Sequence, residues 1–246
     1  MKLILLLLFG ISLKTIYAQS ATSIVKKADE KMRGTTSQAE LIIKTIRKDW
    51  SREMEVKAWM KGANYSIILI KSPAKDKGVA FLKRKKEVWN WIPILERTIK
   101  LPPSMMSQSW MGTDFTNDDL VKESSIVEDY THTFSGDTVI DKRDCYVIQF
   151  IPKPQTAVVW GKLRVCIDKK DYLELYTEFF DEEGKLINIM KAYDIKNMDG
   201  RLIPTHMEMI PTEKKNQKTE IIYKSILFNR SIDDNFFSVE KMKQLN

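Results

Sequence analysis

From Gln38 onward the apolar residues recur with a period of two, and nearly every run closes on a turn signal. "AELIIKTIRKDW", "REMEVKAWMKG", "NYSIILIKS" and "GVAFLKRKKEVWNWIPI" alternate apolar with polar residues or are short β-branched runs. That period excludes a helical bundle, because a helix repeats its buried face every 3.6 residues and a strand every second residue. Gly62-Ala63-Asn64 supplies residues tolerant of positive φ, and Ser72-Pro73 ends the next strand by blocking helical continuation. Further on come "SSIVEDYTHTFSGDTVIDKRDCYVIQFIPK", "GKLRVCIDKKDYLELYTEFFDEEGKLINIMKAYDIKNMDGRLIPTHMEMIP" and "KTEIIYKSILFN". Here "SGD", "DKRD", "DKKD", "DEEG" and "NMDG" separate strand signals about every 8 to 12 residues, the spacing of a sandwich or barrel. The expected class is mainly β: one strongly curved antiparallel sheet of about ten strands forming a half-open barrel, since an open sheet that wide curls or splits.

A curled sheet with an apolar concave face needs a cover. The stretch Thr22 to Met32 places Ile24, Val25, Ala28 and Met32 on one helical face, with Thr22 or Ser23 as cap and Gly34 as stop. Ser231 or Asp233 is expected to cap a short terminal turn, and residues 19–22 are expected to be flexible. Ahead of that helix, Lys2, an apolar run and Ala18 before Gln19 have the layout of a secretory signal peptide. The domain reading is therefore 1–18 signal peptide and 19–246 a single domain, periplasmic if the source has two membranes. "IPKPQTAVVWGK", a weak linker candidate, is short enough to be a loop within the sheet. With no cysteine beside the cleavage site, a lipid-anchored mature N-terminus is not supported.

Removing Lys2 and Lys14 takes the formal net charge from +7 to +5, too modest to point to nucleic acid. The basic runs "KRKKE" and "EKKNQK" fall between strand signals, where solvated hairpin turns are expected, contact with anionic head groups being the alternative. Cys145 and Cys166 are the only cysteines. If their strands pair as a hairpin in which opposite positions sum to 311, the two face each other; both a disulfide and two separately buried thiols are open. A monomer is expected.

Residues 89–120, "WNWIPILERTIKLPPSMMSQSWMGTDFTNDDL", carry three Trp, three Met and three Pro in a segment too broken for one regular element. Trp89, Trp91 and Pro93 end a strand, Pro102-Pro103 stop regular structure, "SMMSQSW" forms at most a helical turn, and Asp114 or Thr116 can cap "TNDDL". Methionine fills irregular gaps, so this flap either plugs the sheet or faces a flexible apolar ligand. No enzymatic motif competes with it. There are two histidines, His132 and His206, both in strand contexts, and there is no Gly-x-Ser-x-Gly elbow or phosphate-binding glycine loop. Asp114, Asp118 and Asp119 fit a helix cap better than an acid/base pair. No cofactor, metal or catalytic residue is expected.

The run "VWNWIPILERTIKLPPSMMSQSWMGTDFTNDDL" resembles the signature of the outer-membrane lipoprotein-sorting, LolA-like proteins. Trp89, Pro93, Arg97, Gly112, Thr113, Asp114, Phe115, Asp119 and Leu120 fall where that pattern has them. The resemblance continues through "CYVIQFIPK", "KLRVCIDKKDYLELYTEFFDEEGKL" and "RLIPTHMEM", and it covers residues 24 to 240. It departs from the pattern at Cys166, where a bulky aromatic is expected. The resemblance implies a half-open barrel with helices over its mouth and a hydrophobic cavity that takes acyl chains in the periplasm. It turns the flap toward the ligand-facing reading, with Trp89, Trp91, Met105, Met106, Trp110, Met111 and Phe115 as apolar wall and lid. The cargo is then an acylated lipoprotein or a lipid passed toward the outer membrane, with an inner-membrane transporter and an outer-membrane acceptor as partners. Two rivals stay open: an interaction subunit that docks on an inner-membrane lipid exporter without carrying lipid, and a hydrolase built on the acidic cluster.

Overall fold

Ser20 accepts the Ser23 amide on its hydroxyl at 3.2 Å and so caps α1 (Ala21–Arg33). The computed structural model of the chain describes residues 19–122 and 125–245. The expected signal peptide, 1–18, lies outside the described residues. The helix starts one residue earlier than its apolar spacing suggested, and Ala21 is buried, so residues 21 and 22 are helical and not a flexible lead-in. Gly34, at φ 64°, ends it as expected.

Thirteen strands follow in a single antiparallel sheet. One run holds β1 (Thr36–Ile46), β2 (Ser51–Lys61), β3 (Tyr65–Ser72), β4 (Ala80–Arg84), β5 (Glu87–Ile92) and β6 (Arg97–Lys100). The other holds β7 (Tyr130–Ile140), β8 (Arg143–Pro152), β9 (Lys162–Asp168), β10 (Glu174–Phe180), β11 (Leu186–Met198), β12 (Arg201–Pro211) and β13 (Lys218–Phe228). Both runs are meanders, and they join where β1 pairs with β13, which gives the order β6-β5-β4-β3-β2-β1-β13-β12-β11-β10-β9-β8-β7. Hence β6 and β7 are the two edges, and residues 101–129, which connect them in sequence, must pass from one edge of the sheet to the other.

This crossing explains the curl. A flat sheet would set β5 and β8, ten strand steps apart, roughly 48 Å from each other. Yet Val88 of β5, Ile148 and Phe150 of β8, and Met106, Trp110 and Phe115 of the crossing segment share one buried cluster. The concave face packs around α1 and the flap, the two covers that the sequence offered. Val25, Ile24 and Ala28 of the helix join that core together with Leu41, Ile43, Val56 and Ile203 of the sheet.

The convex face is also covered, in two patches. Ile67, Leu69, Ala80 and Leu82 of β3 and β4 are buried under Phe237 and Met242 of the C-terminal segment. There Asp233 caps a helical turn (Asp234–Phe236) as expected, and Ser238 caps α2 (Val239–Gln244). The second patch holds Cys145, Val147, Cys166, Leu173 and Leu175.

The turn chemistry was read correctly except at one place. Asp141-Lys142 and Asp199-Gly200 all take positive φ in two-residue hairpins. "SGD", by contrast, is a bulge inside β7, where the register shifts between Phe134 and Gly136. In the β8–β9 pair Cys145 faces Asp168 and Val147 faces Cys166, so opposite positions sum to 313 and not 311. The cysteines are therefore diagonal neighbours on one face, both free thiols. Burial pushes the Cys145 thiol up to about 11 and the Cys166 thiol up as well, which keeps both protonated and inert.

Candidate functional site

The crossing segment is pinned at its backbone. Within it, Trp110 N–H donates to Phe115 O at 2.8 Å, Thr113 N–H to Trp110 O at 2.9 Å, and Asp118 N–H to Met106 O at 3.0 Å. A helical turn, Asp118–Lys122, starts from a capping box in which Asp119 N–H donates to Thr116 Oγ1 at 3.1 Å and Thr116 N–H donates to Asp119 Oδ2 at 2.8 Å. Thr116 is thus the cap. Asp114 is not: its carboxylate takes Arg47 at 2.9 Å and the Thr219 hydroxyl at 2.7 Å, which ties the loop to the β1–β2 turn and to β13. Arg52 adds a bond to Met111 O, and Arg47 a bond to Gly112 O at 3.0 Å.

The seven apolar residues expected to form one wall divide between the two faces. Met106, Trp110 and Phe115 are buried on the concave side, with Met105 and Met111 packed partly buried against them, and the Trp110 ring lies 5.6 Å from that of Phe81. Trp89 and Trp91 point the other way, into the convex patch under α2. The cause is the strand's own alternation: in β5, Val88 and Asn90 take the inside, so the flanking tryptophans must go out.

Three hollows run along the flap. The largest, of about 910 Å³, opens where β5 and β6 approach the loop that follows β8, and its apolar wall comes from Val88, Leu101, Pro102, Met106, Val158 and Val159. The second, of about 580 Å³, shares Ser107 and Val159 with it. The third, of about 190 Å³, is the smallest, sits over β8–β12, and shares Phe115 and Trp160 with the second. Trp160 escaped the sequence reading, although "TAVVW" is unusually apolar for a loop. Its indole N–H donates to Asp119 Oδ1 at 2.7 Å, joining that loop to the flap.

The electrostatics of this interior are acidic. Burial pushes Asp119 up to about 6 against the opposing hydrogen bonds from Trp160 and Thr116, and burial likewise raises Glu174, whose carboxylate accepts from Thr177 Oγ1 at 2.5 Å. His132 sits just behind the wall of this interior, its ring edge-on to Phe150 at 4.6 Å, and His206 lies elsewhere. His132 meets Ile126 O at 2.7 Å, and burial lowers its pKa. His206 stacks on Tyr193 beside Glu208 and Glu220, the one trio among the described residues with metal-ligand spacing. Lys218 fills the space between those two carboxylates, at 2.5 and 2.6 Å, and supplies the positive charge that a metal would bring.

No curated protein matches the chain. Among solved structures, the fold is similar to that of a LolA superfamily protein from Nitrosomonas europaea, with 24% identity, a TM-score of 0.79, and coverage of 91% of this chain and 99% of that one. It is equally similar to a DUF1329 family protein from Desulfovibrio piger, with 18% identity, a TM-score of 0.82, and coverage of 90% and 97%. A domain from Vibrio parahaemolyticus described as an outer membrane lipoprotein-sorting protein gives 20% identity, a TM-score of 0.80, and coverage of 91% and 98%. These likenesses establish the LolA-like open barrel. The chain belongs to the family whose model, described as "-like: Uncharacterized protein", matches residues 62–244, and it has the LolA-like fold.

Proposed function

We propose that the chain carries an acyl chain of a lipid or lipoprotein in the hollow beneath its flap, without covalent chemistry, and hands it toward the outer membrane. The observation that carries this reading is the 910 Å³ groove between the two ends of the sheet, whose apolar wall of Val88, Leu101, Pro102, Met106, Val158 and Val159 is rimmed by Lys86, Glu87, Lys100, Asp129 and Glu182. That volume lies within the range of small-molecule sites, roughly 300 to 1,000 Å³. Burial of a tail would contribute about 0.8 kcal/mol per methylene, so a handful of methylenes outweighs any single surface ion pair. The sorting role ascribed to the Vibrio parahaemolyticus domain of the same fold lends support. So does the leader-like sequence at 1–18, which argues for the periplasm; no described helix is long and apolar enough to cross a membrane.

In this reading Met106 is the adaptable contact in the groove and Phe115 lines the two inner hollows, while Trp110 with Met105 and Met111 packs behind them in the core, and Trp89 and Trp91 stand outside the site. Native mass spectrometry of the purified protein tests it: a co-purified lipid mass, and uptake of a fluorescent fatty-acyl probe after delipidation, are expected. Delipidated, folded protein that fails to take up the probe overturns it.

A second reading, an interaction subunit docking on an inner-membrane exporter, has one observation in its favour. The β5–β6 hairpin tip presents Ile94 at 86% and Leu95 at 57% exposure, with Ile99 at 42% beside them. Aliphatic side chains standing free on a tip are what a docking contact uses.

A further inference from the structure

The smallest hollow differs from the groove at the mouth in its charges, for the groove sets Lys86 and Lys100 beside Glu87, Asp129 and Glu182. Among the described side chains, three carboxyls, from Asp118, Asp119 and Glu174, line its 190 Å³, and no lysine, arginine or histidine does. Five aromatic rings, Phe115, Tyr130, Phe150, Trp160 and Phe179, share the wall with Ile126, Leu163, Val165, Thr177, Met190 and Met209. The rings are braced in pairs, Tyr130 with Phe150 at 6.1 Å and Trp160 with Phe179 at 5.1 Å between centroids. An acyl tail needs no carboxylates, and in an apolar wall they cost desolvation. Among the described residues, Asp119 accepts from the Trp160 indole and the Thr116 amide and Glu174 from the Thr177 hydroxyl, all neutral donors.

From this combination we propose that the cavity binds an organic ammonium group, primary or quaternary, of about the size of choline. Ring faces attract a desolvated cation, and recognition of quaternary ammonium by aromatic cages rests on that attraction. The carboxylates supply the countercharge. A metal ion is a poorer fit, because the only three metal-ligating side chains among the described residues with donor atoms within 4.8 Å of one another are His206, Glu208 and Glu220, which alternate with Met207, Met209 and Ile221 of the core and so face the other side of the sheet. Carboxyls spread more widely than that suit a cation several ångströms across. The hollow also borders the second one, with which it shares Phe115 and Trp160, so both a free ammonium group and the head of an amphiphile are candidate occupants.

The test is isothermal titration of the full chain with choline and with 3,3-dimethyl-1-butanol, its uncharged isostere. Choline is expected to bind at least about tenfold more tightly than the alcohol, and Glu174→Gln to weaken choline by at least about tenfold, since each removes one half of a desolvated charge contact. Glu174→Gln keeps the acceptor for Thr177, and a thermal melt at or above the parent midpoint would show that the loss is not one of folding. Dodecyltrimethylammonium separates the two sources. Much tighter binding than choline assigns the site to an amphiphile's head group, and equal binding to a free amine. Equal affinity for choline and the alcohol, no choline binding by folded protein, or an unchanged affinity in Glu174→Gln overturns the proposal. Uptake of a neutral acyl probe at the mouth is read separately, so the carrier role can stand or fall by itself.

Discussion

Asp114 and Asp119 sit five residues apart in one loop, yet burial acts on them in different ways. Asp114, with its side chain 4% exposed, is satisfied by Arg47 and Thr219. Asp114→Ala would leave Arg47 without its carboxylate at a partly buried site, and a destabilisation of about 3 kcal/mol or more is expected from urea unfolding. Asp119 meets neutral donors, the Thr116 amide and the Trp160 indole, and burial holds it at about 6, above its unfolded value of 3.8. The protonated form is therefore favoured by folding. Its contribution is fully present below pH 3.8 and is lost as pH rises through about 6. The shift corresponds to something on the order of 3 kcal/mol. Asp119→Asn cannot titrate, so its stability relative to the parent should improve by up to that amount between pH 4 and pH 7, whatever fixed penalty the lost cap bond imposes. A pH-independent difference in urea unfolding free energy would show that Asp119 is not perturbed.

At the scale of elements, alternation and turn chemistry made the strands legible, while the face each strand turns inward was not. The reason is that both faces of this sheet are buried in places. β3 hides Ile68 toward the concave core and Ile67 and Leu69 toward α2, so its run "SIILI" carries no polar marker of side. Trp89 and Trp91 went astray for the same reason: without coordinates the tryptophans look more like a ligand wall than Val88 and Asn90 do. The cysteine register failed by two positions, because the bent loop at 153–161 makes a hairpin centre hard to place. The capping box at Thr116, by contrast, could be read from Thr-x-x-Asp alone, and the Asp119–Trp160 bond could not, because it joins segments 41 residues apart. This division predicts a separation of effects. Phe237 is fully buried on the convex side, and Phe237→Ala should cost roughly 3–5 kcal/mol in urea unfolding while leaving acyl-probe uptake by the folded fraction unchanged. A variant that folds but loses uptake would tie α2 to the cavity.

For the whole molecule, the decisive fact is that the chain places its two sheet edges, β6 and β7, at the two ends of one connecting segment. The segment cannot cross the concave face without drawing the edges together. Closure stops short of pairing, and the gap that remains is the mouth of the groove. The proposed carrier role then assigns ligand holding and contact with a membrane or transporter to different places: the groove wall near Val159, and the β5–β6 tip with Ile94 and Leu95. Val159→Trp should fill the groove and lower the capacity for a fluorescent acyl probe. Ile94→Ser with Leu95→Ser touches only exposed side chains, so unfolding free energy should stay within about 0.5 kcal/mol of the parent and probe capacity should be unchanged. What this second variant should change is rate. Extraction of a labelled lipid from phosphatidylglycerol/phosphatidylethanolamine vesicles, followed by loss of energy transfer after stopped-flow mixing, is expected to slow several-fold if the tip makes first contact with the bilayer. An extraction rate equal to the parent's, with capacity intact, would leave the tip to a protein partner and remove the bilayer from its role.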